Sequence, residues 1–233
     1  MIEIPKLRVE QNQKQFTQEL KRALENVGVA QINGLEQGLV DELYQGADDF
    51  TKQVTEKRSK KNCPLNLENG YSIDQFYFND DGSYILGTLP LVMEETPEFN
   101  KLVRKIHHNL SHIANRIRAP INDICHKKIY NPNGLLLKKY KKNQEDNPKK
   151  EEELLLKEHG DIFSILLPTA SREGLEGFVN KEWIPLEPQL GHVLFLPGRD
   201  IGWNTLSPKI KELKHRVRVH GSYNTPRYAL AYY

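Results

Sequence analysis

The chain has 233 residues, 38% of them hydrophobic and 27% charged, with a formal net charge of +2. These values are ordinary for a soluble globular protein built as one domain, or as one domain with an added helical layer. No apolar run reaches the ~18 residues a membrane span needs, and "MIEIPKLRVEQ" lacks the apolar core of a signal peptide. No basic stripe with interleaved aromatics suggests nucleic acid.

In chain order, "NQKQFTQELKRALENVG" places Phe16, Leu20, Ala23 and Val27 at near-helical spacing and ends at Gly28, a plausible C-cap. "VAQING" is a short strand closing in an Asn-Gly turn. "LVDELYQGADDFTKQVTEKRSK" carries Leu39, Leu43, Ala47, Phe50 and Val54 on one face, a second amphipathic helix. "YSIDQFYFNDDGSYIL" alternates, is rich in aromatics and breaks at Asp-Gly, the pattern of a hairpin. Tyr71, Phe76, Tyr77 and Phe78 are either pocket walls or packing. "PEFNKLVRKIHHNLSHIANRIRA" has the stripe Leu102, Ile106, Leu110, Ile113 and Ile117, a third helix; His107, His108 and His112 lie off it and read as surface residues.

After Pro120 the chain turns strand-like: "GLLLKKY", "DIFSILLP", "EGFV", "GHVLFLPG", "HRVRVHGSYN" and "RYALAYY", divided by Gly and Pro turns. Such spacing predicts a sandwich or barrel. The expected organisation is a helical region over residues 1–120 packed on a β core over residues 121–233, a single unit overall. The charge run "KKNQEDNPKKEEELLLKE" reads as a solvated hairpin tip or short helix, or, as a second reading over residues 141–157, a mobile lid. Cys63 and Cys125 stand in no metal-type spacing and read as free thiols, so a reducing cytoplasm is the expected compartment.

The chemistry gathers in this second half. In "KEHGDIFSILLP" an imidazole and a carboxylate, His159 and Asp161, stand two residues apart. On a strand they would share a face with Phe163, Ile165 and Leu167. Burying either group unpaired is costly, so a metal or a hydrogen-bonded pair has to compensate. His215 in "LKHRVRVHG" opens another alternating run, with Val217 and Val219 on its face. His192 and His220 are the competing third ligands. Two imidazoles and one carboxylate are the ligand set of non-haem Fe(II) oxygenases. In "RYALAYY", Arg227 shares its face with the small Ala229 and Ala231, which suits a guanidinium aimed into a cavity as a carboxylate clamp.

The sequence "HGDIFSILLP…EGLEGF…EWIPLEPQLGHVLFLPGRDIGWNTL…KHRVRVHG…RYALAYY" resembles the Fe(II)- and 2-oxoglutarate-dependent oxygenases of the isopenicillin-N-synthase-like branch. "IPKL", "ALENVGVAQINGL" and "VTEKRSK" resemble that family's amino-terminal helical region, so the resemblance covers nearly the whole chain. It implies a mainly β fold with flanking helices (α+β): a double-stranded β-helix, or jelly-roll, core with an N-terminal helical region. It further implies that His159, Asp161 and His215 hold Fe(II), that Arg227 binds the far carboxylate of 2-oxoglutarate, and that Tyr140 lines that pocket. Trp203 and Asn204 would lie near the site, with Trp203 equally a core aromatic. The implied activity is a dioxygenase that consumes O2 and 2-oxoglutarate and hydroxylates or desaturates a small organic substrate.

Two positions depart from the family pattern. Arg-x-Ser is here Arg227-Tyr228-Ala229, and Asn-x-Tyr is here Lys138-Lys139-Tyr140. The missing hydroxyl at Ala229 keeps open an iron oxidase that draws electrons from its substrate or from ascorbate instead of 2-oxoglutarate. A jelly-roll binding protein without turnover is the alternative from another class.

Overall fold

A computed structural model describes residues 2–36, 38–57, 65–66, 71–78, 84–86, 89–91, 97–125, 134–142, 152–220 and 226–233. Three long helices come first. In α1 (Gln13–Asn26) the Asn12 side chain accepts from the Lys14 N–H, a standard N-cap, and Phe16, Leu20, Ala23 and Leu24 form the buried stripe. The helix stops where Gly28 takes φ +83° and donates its N–H to the Ala23 carbonyl, a backbone turn that glycine makes without a Cβ penalty. Asp41 and Glu42 open α2 (Leu39–Lys57), where carboxylates complement the helix dipole. In α3 (Pro97–Cys125) Pro97 stands in the first turn, where its missing N–H costs nothing. That helix runs on through Pro120, past the point where the sequence changes character, and buries Ile121, Ile124 and Cys125. His107 is buried within it, its ring 5.2 Å from that of Tyr232, which corrects the expectation of a surface residue.

The strands are β1 (Lys6–Leu7), β2 (Ala30–Asn33), β3 (Leu65–Asn66), β4 (Tyr71–Phe78), β5 (Tyr84–Leu86), β6 (Leu89–Leu91), β7 (Leu135–Lys142) and β8 (Glu152–His159). They continue as β9 (Ile165–Leu167), β10 (Leu175–Val179), β11 (Glu182–Pro185), β12 (His192–Leu196), β13 (His215–His220) and β14 (Arg227–Tyr232), with the short helix α4 (Arg199–Asn204) between β12 and β13. Among the described residues, ten strands make one sheet in the order β1-β2-β12-β9-β14-β7-β4-β5-β6, with β3 on β4. Four more make a second sheet, β11-β10-β13-β8. The larger sheet thus draws strands from both halves of the chain. The expected hairpin is present as the antiparallel pair β4–β5. Of the charge run, residues 143–151, the middle of the lid reading, lie outside the described residues; its start ends β7 and its last part is β8, extended rather than helical.

Alternation along the larger sheet decides which residues meet the helices. Phe76 and Phe78 of β4, Leu135 and Leu137 of β7, Tyr228, Leu230 and Tyr232 of β14, and Val193 and Phe195 of β12 join the core formed with α1, α2 and α3. Phe50 stacks on Phe99 there at 4.3 Å between centroids. Phe76 and Phe78 are therefore packing and not pocket walls, whereas Tyr77 points to the other face, and the Tyr71 side chain lies outside the described residues. The opposite face packs toward the smaller sheet through Ile165, Leu194 and Leu196 with Val179 and Leu186, and through Tyr140 with Leu155 and Val217. Between those two apolar clusters the sheets leave a cavity of about 390 Å³.

Candidate metal and co-substrate site

The two histidines are brought together by strand pairing. His159, the last residue of β8, is the register partner of His215, the first of β13. Residues directly opposite on an antiparallel pair project to one face, and the two rings stand 4.3 Å apart, centroid to centroid. Asp161 does not reach them by alternation along a continuous strand, as the sequence suggested. Strand β8 ends at His159, the chain bends through residues 160–164, and β9 starts only at Ile165. The bend still carries the Asp161 carboxylate to 3.5 Å from His215 Nε2. One ligand atom from each of His159, Asp161 and His215 lies within 4.8 Å of the others.

Both rings are oriented for ligation. His159 Nδ1 lies 2.9 Å from the Lys157 carbonyl and His215 Nδ1 lies 3.0 Å from the Leu213 carbonyl. A carbonyl only accepts, so each Nδ1 carries the proton and each Nε2 keeps a free lone pair, the tautomer a metal requires. Burial lowers the pKa of His215, and the neighbouring His159 works in the same direction against the opposing Asp161 carboxylate. The neutral imidazole is thereby favoured.

The Asp161 bend is clamped by α4. Arg199 N–H donates to the Asp161 carbonyl (3.0 Å) and Asp200 N–H to the Ile162 carbonyl (2.9 Å). Ser164 Oγ donates to the buried Asp200 carboxylate at 2.9 Å and accepts from Gly198 N–H at 3.0 Å. Gly198 is required by space: a Cβ there would meet the Phe163 carbonyl carbon at 2.4 Å. In the sequence this clamp shows only as the Gly198-Arg199-Asp200 turn. Trp203 on α4 is 69% exposed, so it is no core aromatic, and Asn204 donates to the Asp200 carbonyl; neither belongs to the His159–Asp161–His215 cluster. His192 bonds the Leu190 carbonyl and stands apart from that cluster, and the His220 side chain lies outside the described residues.

Arg227 is 3% exposed and lines the cavity together with His215, Tyr140 and Ala229. Its Nε donates to the Arg172 and Glu173 carbonyls (3.1 and 3.3 Å), while its buried Nη1 has no hydrogen-bond partner among the described residues. The guanidinium sits 5.3 Å from the Tyr140 ring centre, its register partner across β14 and β7. Missed as a site residue was Lys138, although alternation along β7 puts it on the Tyr140 face and into the same cavity wall.

No protein-family model and no curated protein matches the sequence. Solved structures do. The dioxygenase for auxin oxidation 1 from Arabidopsis thaliana, in binary complex with 2-oxoglutarate, is 17% identical with a TM-score of 0.69, covering 98% of this chain and 91% of its own. A protein assigned to the 2OG-Fe(II) oxygenase family from Caulobacter crescentus is 17% identical at TM-score 0.70, covering 100% and 86%. The chain has the fold of the 2OG-Fe(II) oxygenases. JOX2, solved with 2OG, Fe and JA, is 18% identical at TM-score 0.68 and covers 99% of this chain and 74% of its own. Among the described residues no helix is long and apolar enough to cross a membrane.

Proposed function

We propose that the protein is a non-haem Fe(II)- and 2-oxoglutarate-dependent dioxygenase that hydroxylates or desaturates a small organic substrate. The two sheets are read as a jelly roll enclosing the site. The single observation that carries the proposal is the meeting, at one cavity, of His215 from a His-Asp-His cluster with a buried arginine whose Nη1 has no hydrogen-bond partner among the described residues. An unpaired buried guanidinium donor is costly, and a carboxylate in the cavity removes that cost.

In this reading His159 and His215 each offer Nε2, and Asp161 offers a carboxylate oxygen, to one Fe(II), leaving positions open for ligand exchange. When bound, the iron and its co-substrate supply the oxidative chemistry: O2 is consumed, 2-oxoglutarate is converted to succinate and CO2, and a substrate C–H bond is oxidised. The remaining work belongs to this chain. Arg227 holds the far carboxylate of 2-oxoglutarate through Nη1, and its own orientation is fixed by the two carbonyls that take Nε. Tyr140 packs beside the guanidinium and closes that end of the pocket. The Leu213 and Lys157 carbonyls keep both imidazoles in the ligating tautomer. The apolar walls, Ile165, Leu167, Leu186 and Val217 among them, keep bulk water from the reacting centre. A cytoplasmic location fits Cys125, a buried free thiol whose pKa burial pushes up to about 11, inert as a thiolate.

The test is an anaerobic titration of the purified protein with Fe(II) and then 2-oxoglutarate, following the weak visible charge-transfer band of the chelate. Wild type is expected to form the band and His159→Ala to lose it. Arg227→Ala should require roughly 30- to 100-fold more 2-oxoglutarate, the cost of truncating one partner of a buried charge pair. Iron binding without a band would favour the oxidase that uses no 2-oxoglutarate, in keeping with the absent hydroxyl at Ala229. No iron binding at all would leave a binding protein.

A further inference from the structure

Strand register turns the two departures from the family pattern into one local feature. Lys138 on β7 is the direct register partner of Ala229 on β14, and the neighbouring pair on the same face is Tyr140 and Arg227. All four line the cavity, and His215 lies on its wall as well. Lys138 and Tyr140 are separated by one pleat repeat, about 7 Å, comparable to the length of a five-carbon dicarboxylate. The methyl group of Ala229 leaves open the space that a longer cross-strand neighbour would fill.

Within that wall two cationic donors go unanswered. Arg227 Nη1 is buried without a hydrogen-bond partner among the described residues. Lys138 makes no hydrogen bond or ion pair among the described residues; its electrostatic neighbours are the Tyr140, Tyr233 and Tyr77 phenols and the Asp161 carboxylate. The ammonium is thus within electrostatic reach of Asp161 and of His215, two members of the cluster. Its strand neighbour Lys139 turns the other way and is bonded to Asp48 and Thr51, so the free state of Lys138 is not a general property of this strand. The acids lining the cavity, Glu173 and Glu187, are exposed at its rim, where water and salt screen them, and Asp161 stands beside the cavity wall at His215. Arg227, Lys138 and a divalent metal face one internal carboxylate, Asp161. A dianionic co-substrate would still leave one positive charge over.

We propose that Lys138 is a second anion-holding residue of this cavity, its ammonium taking a carboxylate beside the His159–Asp161–His215 cluster while Arg227 takes another. The proposal rests on the oxygenase reading above. The carboxylate has two possible sources, the metal-side end of 2-oxoglutarate or the primary substrate itself, and the charge surplus favours the substrate. Lysine suits this position because its ammonium is a mobile point charge on a flexible stem, able to meet a carboxylate without a fixed fork geometry.

The experiment uses anaerobic, Fe(II)-loaded protein and compares wild type, Lys138→Met and Lys138→Arg by calorimetry, with thermal melting as the check on folding. The first arm measures the Kd of 2-oxoglutarate. The second measures, with 2-oxoglutarate in place, the Kd of phenylacetate against its neutral amide. Lys138→Met should weaken binding about tenfold or more in one arm, with Lys138→Arg retaining most of the wild-type affinity. Loss in the first arm identifies the co-substrate as the source; loss in the second, for the acid but not the amide, identifies the substrate. Unchanged 2-oxoglutarate affinity together with no Lys138-dependent binding of phenylacetate overturns the proposal. Should the oxygenase reading itself fail, wild type would already bind no iron or no 2-oxoglutarate, a result distinct from a variant that behaves like wild type.

Discussion

The two faces of the larger sheet treat the same residue types in opposite ways. On the helix-backed face, Lys139 donates to Asp48 at 2.9 Å and to Thr51 at 2.8 Å, and Tyr228 donates to the same Asp48 carboxylate. Tyr44 there donates to the Thr169 carbonyl and accepts from Leu230 N–H. These polar groups are answered from within the chain, and their role is to lock α2 onto β7 and β14. On the cavity face, one residue away along each strand, Arg227 Nη1 and Lys138 have no hydrogen-bond partner among the described residues. Satisfied buried networks contribute rigidity; an unsatisfied buried donor calls for an explanation, and the proposed function supplies one in a bound carboxylate. In that reading one sheet carries a structural face and a binding face, separated by strand alternation alone.

The largest effect that would sharpen this contrast is expected at Gly198. A Cβ there would press on the Phe163 carbonyl carbon and oxygen and the Ser164 nitrogen at 2.4 to 2.7 Å, all backbone atoms that cannot rotate aside. Gly198→Ala should therefore cost about 2–3 kcal/mol of stability, as over-packing does. It should also weaken Fe(II) binding, because the displaced segment is the bend that carries Asp161. Denaturant unfolding and an anaerobic iron titration measure the two effects. A variant that loses stability but binds iron as wild type does would show that the α4 clamp supports the fold and not the ligand.

Asp48→Ala probes the other face. It removes the counter-charge from Lys139, whose side chain is 11% exposed, and should cost about 2 kcal/mol while leaving Fe(II) and 2-oxoglutarate affinities unchanged. The effect has a pH signature. Burial alone would raise the Asp48 pKa, but the hydrogen bonds from Tyr228 and Lys139 and the nearby positive charges outweigh it and hold it below the usual value. A depressed carboxyl stabilises the fold above its unfolded pKa, near ~3.9, and that stability is lost as pH falls through the folded value. The difference in stability between wild type and Asp48→Ala should shrink below about pH 4. A difference that persists there would mean that packing, and not charge, is what Asp48 contributes.

How legible all this is in the sequence follows from which interactions are local. The helix stripes and the alternation in "RYALAYY" and "HRVRVHG" depend on chain geometry alone, so the faces of Arg227 and of His215 could be read directly. The clustering of His159, Asp161 and His215 rested on a ligand-set argument, and the route differs from the one read: Asp161 arrives on a bend held by α4, through backbone hydrogen bonds that leave no side-chain mark. His107 was misplaced because a helix clamped between sheet and partner helices buries more than one stripe. Lys138 stands out in the sequence only as a departure from Asn-x-Tyr; alternation puts it on the Tyr140 face, but nothing local shows what it stands against. Its partner Ala229 sits on another strand, a relation no local pattern contains.

The smallest expected effect tests where the binding face ends. Trp203 lies on α4 next to the clamp but is 69% exposed, and α4 is held to the fold by buried Ile201 and Asp200 instead. Trp203→Ala should change stability by no more than about 0.5 kcal/mol, the ordinary range for a surface substitution, and leave iron and 2-oxoglutarate affinities as in wild type. Its exposed indole is no part of the His159–Asp161–His215 cluster, so a change in either affinity is expected to travel through α4 itself. Measured beside Gly198→Ala, which moves the backbone of the same turn, the pair separates what α4 does by its packing from what its exposed side chain does. If Trp203→Ala weakened 2-oxoglutarate binding, the boundary of the binding face would have to be redrawn to include the outer surface of α4.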